Sequence, residues 1–275
     1  MMTEIKPVGE LLRGWRQRRR MSQLDLACGV GISPGQLSSL ESGRIAPSSD
    51  LLLRMTDRLE VPLRDRNALL VAAGLPAVYT EHGLDDADLA AARSGLLAML
   101  AGHEPNPALV IDQHWTLAHA NDTLMRLISG ADPMLLRPPI NVVRLILHPA
   151  GLAPRVSNLP LWRAQIIARL EAQIERTGET SLSDLLEEVR DYPALRVPSG
   201  RTDEEADSAA VPFRLASVDG LLSFYSLVSL INAPLDITLA DLRLIALLPA
   251  DGRTADVMRR QAQQAAERAP LAAVG

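Results

Sequence analysis

Positions 22 to 43 read SQLDLACGVGISPGQLSSLESG, a run containing two carboxamides, Gln23 and Gln36. A carboxamide presents a donor and an acceptor side by side, matching the N6 and N7 edge of adenine in the major groove. Around Gln36 the residues are short or polar: Ser33, Pro34, Gly35, Ser38 and Ser39. Arg44 follows, placed for a phosphate oxygen rather than a base. Pro34 and Gly35 carry no hydrogen-bonding side chain. Direct readout by this segment would therefore be sparse, resting on Gln36, one or two serines and the shape of the duplex.

Such side chains work only if a helix carries them into the groove. Gln23, Ala27, Gly31, Leu37 and Glu41 fall at the spacings of a helix-turn-helix. Ala27 is small enough for a second helix to cross closely, and Gly31 suits a turn with positive φ. Ser33 and Pro34 read as a hydroxyl N-cap followed by a ring with preset φ at the first helical position. A preceding helix carries Leu11, Leu12 and Trp15 as an apolar stripe, with Arg13, Arg16, Arg18, Arg19 and Arg20 read onto its other face. The run Arg18, Arg19, Arg20 is either a phosphate clamp or a solvated surface. Leu51, Leu52, Met55 and Leu59 recur at helical spacing after Pro47, and a further helix with Leu69, Leu70 and Val71 stops at Gly74-Leu75-Pro76. This order resembles the Xre family, with the lambda-repressor-like DNA-binding fold, over about residues 8–74. The resemblance implies a five-helix head docking on operator DNA, in which Gln23 buttresses the backbone and the neighbouring reading side chains.

Charge supports a division of the 275-residue chain. The net charge is −5, yet residues through Gly74 carry 11 basic and 8 acidic side chains, whereas the remainder carries 17 and 25. A mildly positive head on an acidic body suits a protein that meets DNA through one part only, with two subunits acting together as a homodimer. The single cysteine, Cys28, forbids an intrachain disulfide. No apolar run approaches a membrane span, and a cytoplasmic location is expected. The five histidines show no metal-ligand spacing.

The second half alternates differently. DDADLAAARSGLLAMLAG from Asp85 reads as a helix with acidic residues in its first turn. ALVIDQHWTLAHAN gives two short strands broken at Asp112-Gln113, and Asn121-Asp122 then caps a helix through Ile128. A short helix over Asn141 to Leu147, a long one over Trp162 to Thr177 and another over Ser181 to Asp191 follow. Residues 197–210 read as a mobile connector. Val211, Phe213 and Leu215 alternate before a hairpin turn at Asp219-Gly220, with partner strands over Leu221 to Ile231 and Leu242 to Leu248. An Arg- and Gln-rich helix finishes the chain. The expected fold is mainly α in two domains: a five-helix head, then an α+β domain with helices on one face of an antiparallel sheet.

ALVIDQHWTLAHAN, NVVRLILHPAGLAPRVSNLPLWRAQIIARL and SFYSLVSLINAPLDITLADLRLIALLPAD resemble the MmyB-like ligand-binding domain, a PAS-like sensor found behind Xre heads in bacterial transcription regulators. The resemblance spans about residues 104–251 and implies a small apolar, fatty-acid-like effector. The sequence departs from the family pattern at Ile231-Asn232-Ala233, where an aromatic-Gly-Thr run is usual, and at Leu247 and Leu248, which replace aromatics. The division expected is a helix-turn-helix domain over 1–76, a linker and connecting helix over 77–103, and the ligand-binding domain over 104–275.

Only 3% of residues are aromatic, so aliphatic walls suited to an acyl chain are expected. Candidate lining residues are Trp115, Met125, Trp162, Ile166, Phe224 and Leu227. Arg144 and His148, at i and i+4, could meet a carboxylate or carbonyl head group. No Ser-His-Asp elbow, paired carboxylates or phosphate-cradling glycine loop is present, so neither catalysis nor a cofactor is expected. The alternative functions are a DNA-binding scaffold whose second domain recruits a protein, and a haem or flavin sensor using His148 or His119. If Gln36 reads a base, Gln36→Ala should relax operator preference by about 1 to 3 kcal/mol at one position of each half-site. Competition binding against operators varied base by base measures this, and an unchanged preference removes Gln36 from the readout.

Overall fold

A computed structural model describes residues 6–193, 211–231 and 235–268. The expected mobile connector at 197–210 and the departure at Asn232-Ala233 lie outside the described residues. The chain divides into two compact units. The first takes the described residues within Met1–His82, Ala172–Glu179 and Asn232–Ala240; the second takes the rest. Among the described residues no helix is long and apolar enough to cross a membrane.

The head contains α1 (Val8–Arg18), α2 (Gln23–Val30), α3 (Pro34–Glu41), α4 (Ser49–Arg58) and α5 (Leu63–Ala72). Their ends follow from local chemistry. Ser22 and Asp25 form a reciprocal capping box at the start of α2, and Gly31 ends it at φ 75°. Ser33 Oγ accepts from Gln36 N at 3.1 Å, with Pro34 as the first residue of α3. Leu12, Ala27, Leu37, Leu52, Met55 and Leu70 have essentially no exposed surface and form the centre of the head core. Gly9 lets α1 lie against α3, since a Cβ there would come within 2.5 Å of the Leu40 carbonyl oxygen.

The second unit is built around one antiparallel sheet. In chain order its elements are α6 (Ala90–Gly102), β1 (Ala108–Ile111), β2 (Leu117–Ala120), α7 (Asp122–Ile128), α8 (Val142–Leu147), α9 (Leu159–Thr177), α10 (Thr180–Asp191), β3 (Phe213–Ser217), β4 (Gly220–Leu230), α11 (Ile237–Asp241), β5 (Arg243–Pro249) and α12 (Gly252–Arg268). Both α9 and α11 also contribute residues to the first unit. The five strands lie in the order β2-β1-β5-β4-β3, so the last strand is central and joins the two hairpins. All four residues of β1 and four consecutive residues of β5 are buried. The centre of the sheet is therefore covered on both faces, whereas the element order had suggested helices on one face only.

Asn121 organises one end of this sheet. Its Oδ1 accepts from Ala108 N and Leu124 N, both at 3.0 Å, while its Nδ2 donates to the Asn106 carbonyl at 2.8 Å. One buried carboxamide thus starts β1, caps α7 and holds the loop between α6 and β1.

The head has a comparable tie. Glu41, at the end of α3, has no exposed side-chain surface. It accepts two hydrogen bonds from Arg16 of α1, at 2.6 and 2.9 Å, and one from Gln23 of α2 at 2.8 Å. Arg13 lies 3.5 Å away. Burial pushes the Glu41 pKa up, but the Arg16 and Gln23 hydrogen bonds and the Arg16 charge outweigh it, so the net displacement is downward. A carboxylate depressed in the fold contributes stability that is present above its unfolded pKa and is lost as pH falls through its folded one. Glu41→Ala should destabilise the head by about 3 to 5 kcal/mol, because the Arg16 guanidinium is left buried without its partner. Urea unfolding followed through Trp15, with Trp115 and Trp162 changed to Phe, measures this. The same probe should show the parent head weakening as pH is lowered below the ordinary carboxylate range.

Candidate functional site

In the head, Ser33, Pro34, Gly35, Gln36 and Arg44 are exposed, and Ser38 and Ser39 are half-buried. The first four lie together at the amino-terminal end of α3. Arg44 donates through Nε to Ser42 Oγ at 3.0 Å. Gln23 uses its amide nitrogen to hold Glu41, which places it behind α3 as a support.

The arginines of α1 are not equivalent. Arg16 is only 12% exposed and serves Glu41, although the sequence reading set it on the outer face. Arg19 donates from Nε to the Leu59 carbonyl at 2.7 Å and from Nη2 to the Glu60 carbonyl at 2.8 Å, closing the end of α4. Arg18 stacks over the Trp15 ring at 4.9 Å and donates to the Thr177 carbonyl of the same unit. Arg20 is exposed and pairs with Glu175, also of that unit. Leu12, Trp15, Arg16 and Arg19 fall at i, i+3, i+4 and i+7, so helical spacing could have identified the two arginines that turn inward.

In the second unit a cavity of about 70 Å³ lies between α7, α8, α9 and the inner face of the sheet. Its walls are Leu124, Leu127 and Ile128 of α7, Val142, Leu145 and Ile146 of α8, and Trp162, Ile166 and Arg169 of α9, together with Leu109, Leu117, Phe213, Ser226, Ile245 and Leu247 of the strands. Trp115 and Leu152 complete the lining, in which Ser226 supplies a hydroxyl and Arg169 a charge.

Both cavity tryptophans are fixed in place. Trp162 donates its indole N–H to the Pro212 carbonyl at 3.0 Å and meets Phe213 edge-on at 5.0 Å between centroids. Trp115 has φ 64°, a conformation strained for a bulky residue by about 1 to 3 kcal/mol. Asp112 compensates by accepting from His114 N and Thr116 N through Oδ1, each at 2.8 Å. The Trp115 carbonyl in turn accepts from Val142 N at 2.9 Å, tying this turn to α8.

Of the residues picked from sequence, the cavity brings together Trp115, Trp162 and Ile166. Met125 is 42% exposed on the far side of α7, and Phe224 is fully buried in the core outside the cavity. Leu227 is 52% exposed, because strand alternation sends residues 224 and 227 to opposite faces. Arg144 and His148 do lie near each other, but they face α10. Arg144 donates to both Glu188 oxygens at 2.6 to 2.9 Å, Tyr192 donates to Glu188, and His148 packs edge-on against Tyr192 at 5.0 Å. The hydrogen bonds from Arg144 are the main cause of the lowered Glu188 pKa. Tyr192 is raised by burial and by the Glu188 carboxylate. The sequence reading missed Arg169 and Ser226. Trp162, Ile166 and Arg169 at i, i+4 and i+7 share one helix face, and Ser226 lies two residues from Phe224 on one strand face.

A wider groove of about 870 Å³ runs beside α7, β3 and α12, lined by Arg126, Arg155 and Gln261 among others. It is open to solvent. Arg155 there donates to the Ala216 and Leu127 carbonyls, and burial lowers its pKa. Among the described residues no group of acidic, His or Cys side chains could hold a metal ion.

Residues 92–260 match the MmyB-like transcription regulator ligand binding domain, and residues 7–69 match a helix-turn-helix domain. No curated protein matches the chain. Among solved structures, the chain is similar to the clp gene regulator ClgR from Corynebacterium glutamicum, at 30% identity over 36% of this chain and 90% of that one, with a TM-score of 0.22. It is also similar to a single-residue variant of RsLOV, at 13% identity over 64% of this chain and 78% of that one, and to an RNA-binding Light-Oxygen-Voltage receptor, at 15% identity over 94% and 64%. Both of these give a TM-score of 0.29, too low for the likeness to bear on fold or function. A helix-turn-helix match on the head and a ligand-binding-domain match over more than half of the chain identify it as a member of the transcription regulators with an MmyB-like ligand-binding domain.

Proposed function

We propose that this regulator binds operator DNA as a homodimer through the exposed start of α3, and that a small apolar, fatty-acid-like effector enters the α7–α9 cavity to change that binding. The proposed division is a DNA-binding domain over 1–76, a connector over 77–103 and a PAS-like sensor over 104–275, in a cytoplasmic protein with no catalytic role. Gln36, Ser33, Ser38 and Ser39 would face base edges, and Arg44 a phosphate. In the sensor, Trp115, Trp162 and Ile166 would pack on the acyl chain.

The observation that carries this reading is an apolar cavity walled by three helices and the inner sheet face. Its size adds a mechanism. An engineered apolar cavity on the order of 150 Å³ holds benzene. At about 70 Å³ the cavity is too small for an acyl chain until its walls separate. The effector would therefore bind an opened arrangement better than the closed one, and that differential affinity is what allows a ligand to shift a population. The small volume also favours, as a second reading, a scaffold that recruits a protein and takes no small molecule.

Denaturing mass spectrometry of an organic extract of the purified protein tests the choice, paired with thermal melts against an acyl panel. A stoichiometric acyl compound in the extract is expected. A panel member at a hundred times its Kd should raise the sensor melting temperature by about 5 to 10 °C. An empty extract with no melting shift across the panel favours the recruitment scaffold.

A further inference from the structure

The open groove beside α7, β3 and α12 has a volume of about 870 Å³, within the range of sites that take small molecules. Its lining includes two guanidiniums, Arg126 and Arg155, and two carboxamides, Gln261 and Gln264. No carboxylate is among the described lining residues. Leu127, Ala216 and Val218 add apolar surface, and Val218 is fully exposed.

Arg155 is half-buried, with Nε and Nη1 taken by the Ala216 and Leu127 carbonyls. Among the described residues it has no ion pair, and its Nη2 is left without an acceptor. A guanidinium partly withdrawn from water without a counter-charge favours an anion, which returns part of what burial removed. Gly130 adjoins it: a Cβ there would stand 3.2 Å from Arg155 Nη1. The Gly130 N–H has no partner among the described residues.

The other polar groups divide into committed and open. Ser129 donates to the Arg126 carbonyl, and Gln261 donates to Asp219, whose charge is met by Arg260. Arg126 donates from Nη2 to Thr123 Oγ1 at 2.6 Å, with Glu104 at 3.8 Å, and its Nε and Nη1 stay open. Gln264 is exposed and makes no hydrogen bond among the described residues. Open donors therefore come from Arg126, Gly130, Arg155 and Gln264. Such a set exceeds what the two oxygens of a carboxylate can use and suits the three terminal oxygens of a phosphate ester.

We propose that this groove is a second small-molecule site, for a phosphate monoester whose apolar body lies on Leu127, Ala216 and Val218. Arg155 and Arg126 supply the charge, and Gly130 and Gln264 supply neutral donors. The site needs no occupant in the α7–α9 cavity, although Leu127 belongs to both linings and α7 thus walls each of them.

Calorimetric titration of the full chain with naphthyl phosphate, naphthoate, naphthol and inorganic phosphate tests this. Wild type should bind the ester saturably, about tenfold or more tighter than the alcohol or inorganic phosphate. Naphthoate should fall between ester and alcohol. Gln264→Glu places a carboxylate in the groove at an exposed position, and Arg126→Met removes a donor. Each should weaken ester binding about three- to thirtyfold with an unchanged thermal melt, which shows that the variant is folded. Arg155→Lys should also weaken the ester, having the charge without the fork. Failure of the ester to bind, equal binding of ester and alcohol, or unchanged affinity in Gln264→Glu and Arg126→Met overturns the proposal. Naphthoate binding as tightly as the ester overturns the assignment to phosphate.

Discussion

A carboxylate with no exposed surface joins three helices of the head. Glu41 ends α3, Arg16 comes from α1 and Gln23 opens α2, so one side chain sets the mutual position of the elements that present Gln36. Burying an ion pair gives little net stability, because desolvation offsets most of the Coulomb gain. What such a pair supplies here is geometry: alternative placements of α3 would leave Glu41 or Arg16 unpaired. The apolar contacts of Leu37 and Ala27 bring the helices together. The Glu41 hydrogen bonds then tie α3 to both α1 and α2.

The sensor follows a different logic, in which polar ties surround an apolar space. Asn121 fixes the start of β1 to α7, Asp112 stabilises the strained turn at Trp115, and Pro212 receives the indole of Trp162. These ties hold the rim and two aromatic walls. Between them lies space with few polar atoms.

Local chemistry made much of this legible in the sequence. Caps at Ser33 and Asn121, the left-handed Gly31 and the apolar stripes of α1 and α9 each depend on residues within one or two turns. The elements they predict are present. Reading failed where parity or distant partners decide. Phe224 and Leu227, three apart on a strand, cannot share a face, whereas Phe224 and Ser226 do. Arg144 and His148 do approach each other as their spacing implies, but Glu188, 44 residues away, claims Arg144 for a tie to α10.

The central claim is that the effector lies between α7–α9 and the sheet. In a Trp15→Phe variant, Trp115 and Trp162 are the remaining indoles, and both line the cavity. Titration with a fatty acid brominated near its methyl end, read by indole fluorescence, tests the claim most directly, because bromine quenches only indoles it nearly touches. Strong saturable quenching, absent with the same acid lacking bromine, is the predicted result. Saturable binding without quenching would place the effector elsewhere and contradict the account.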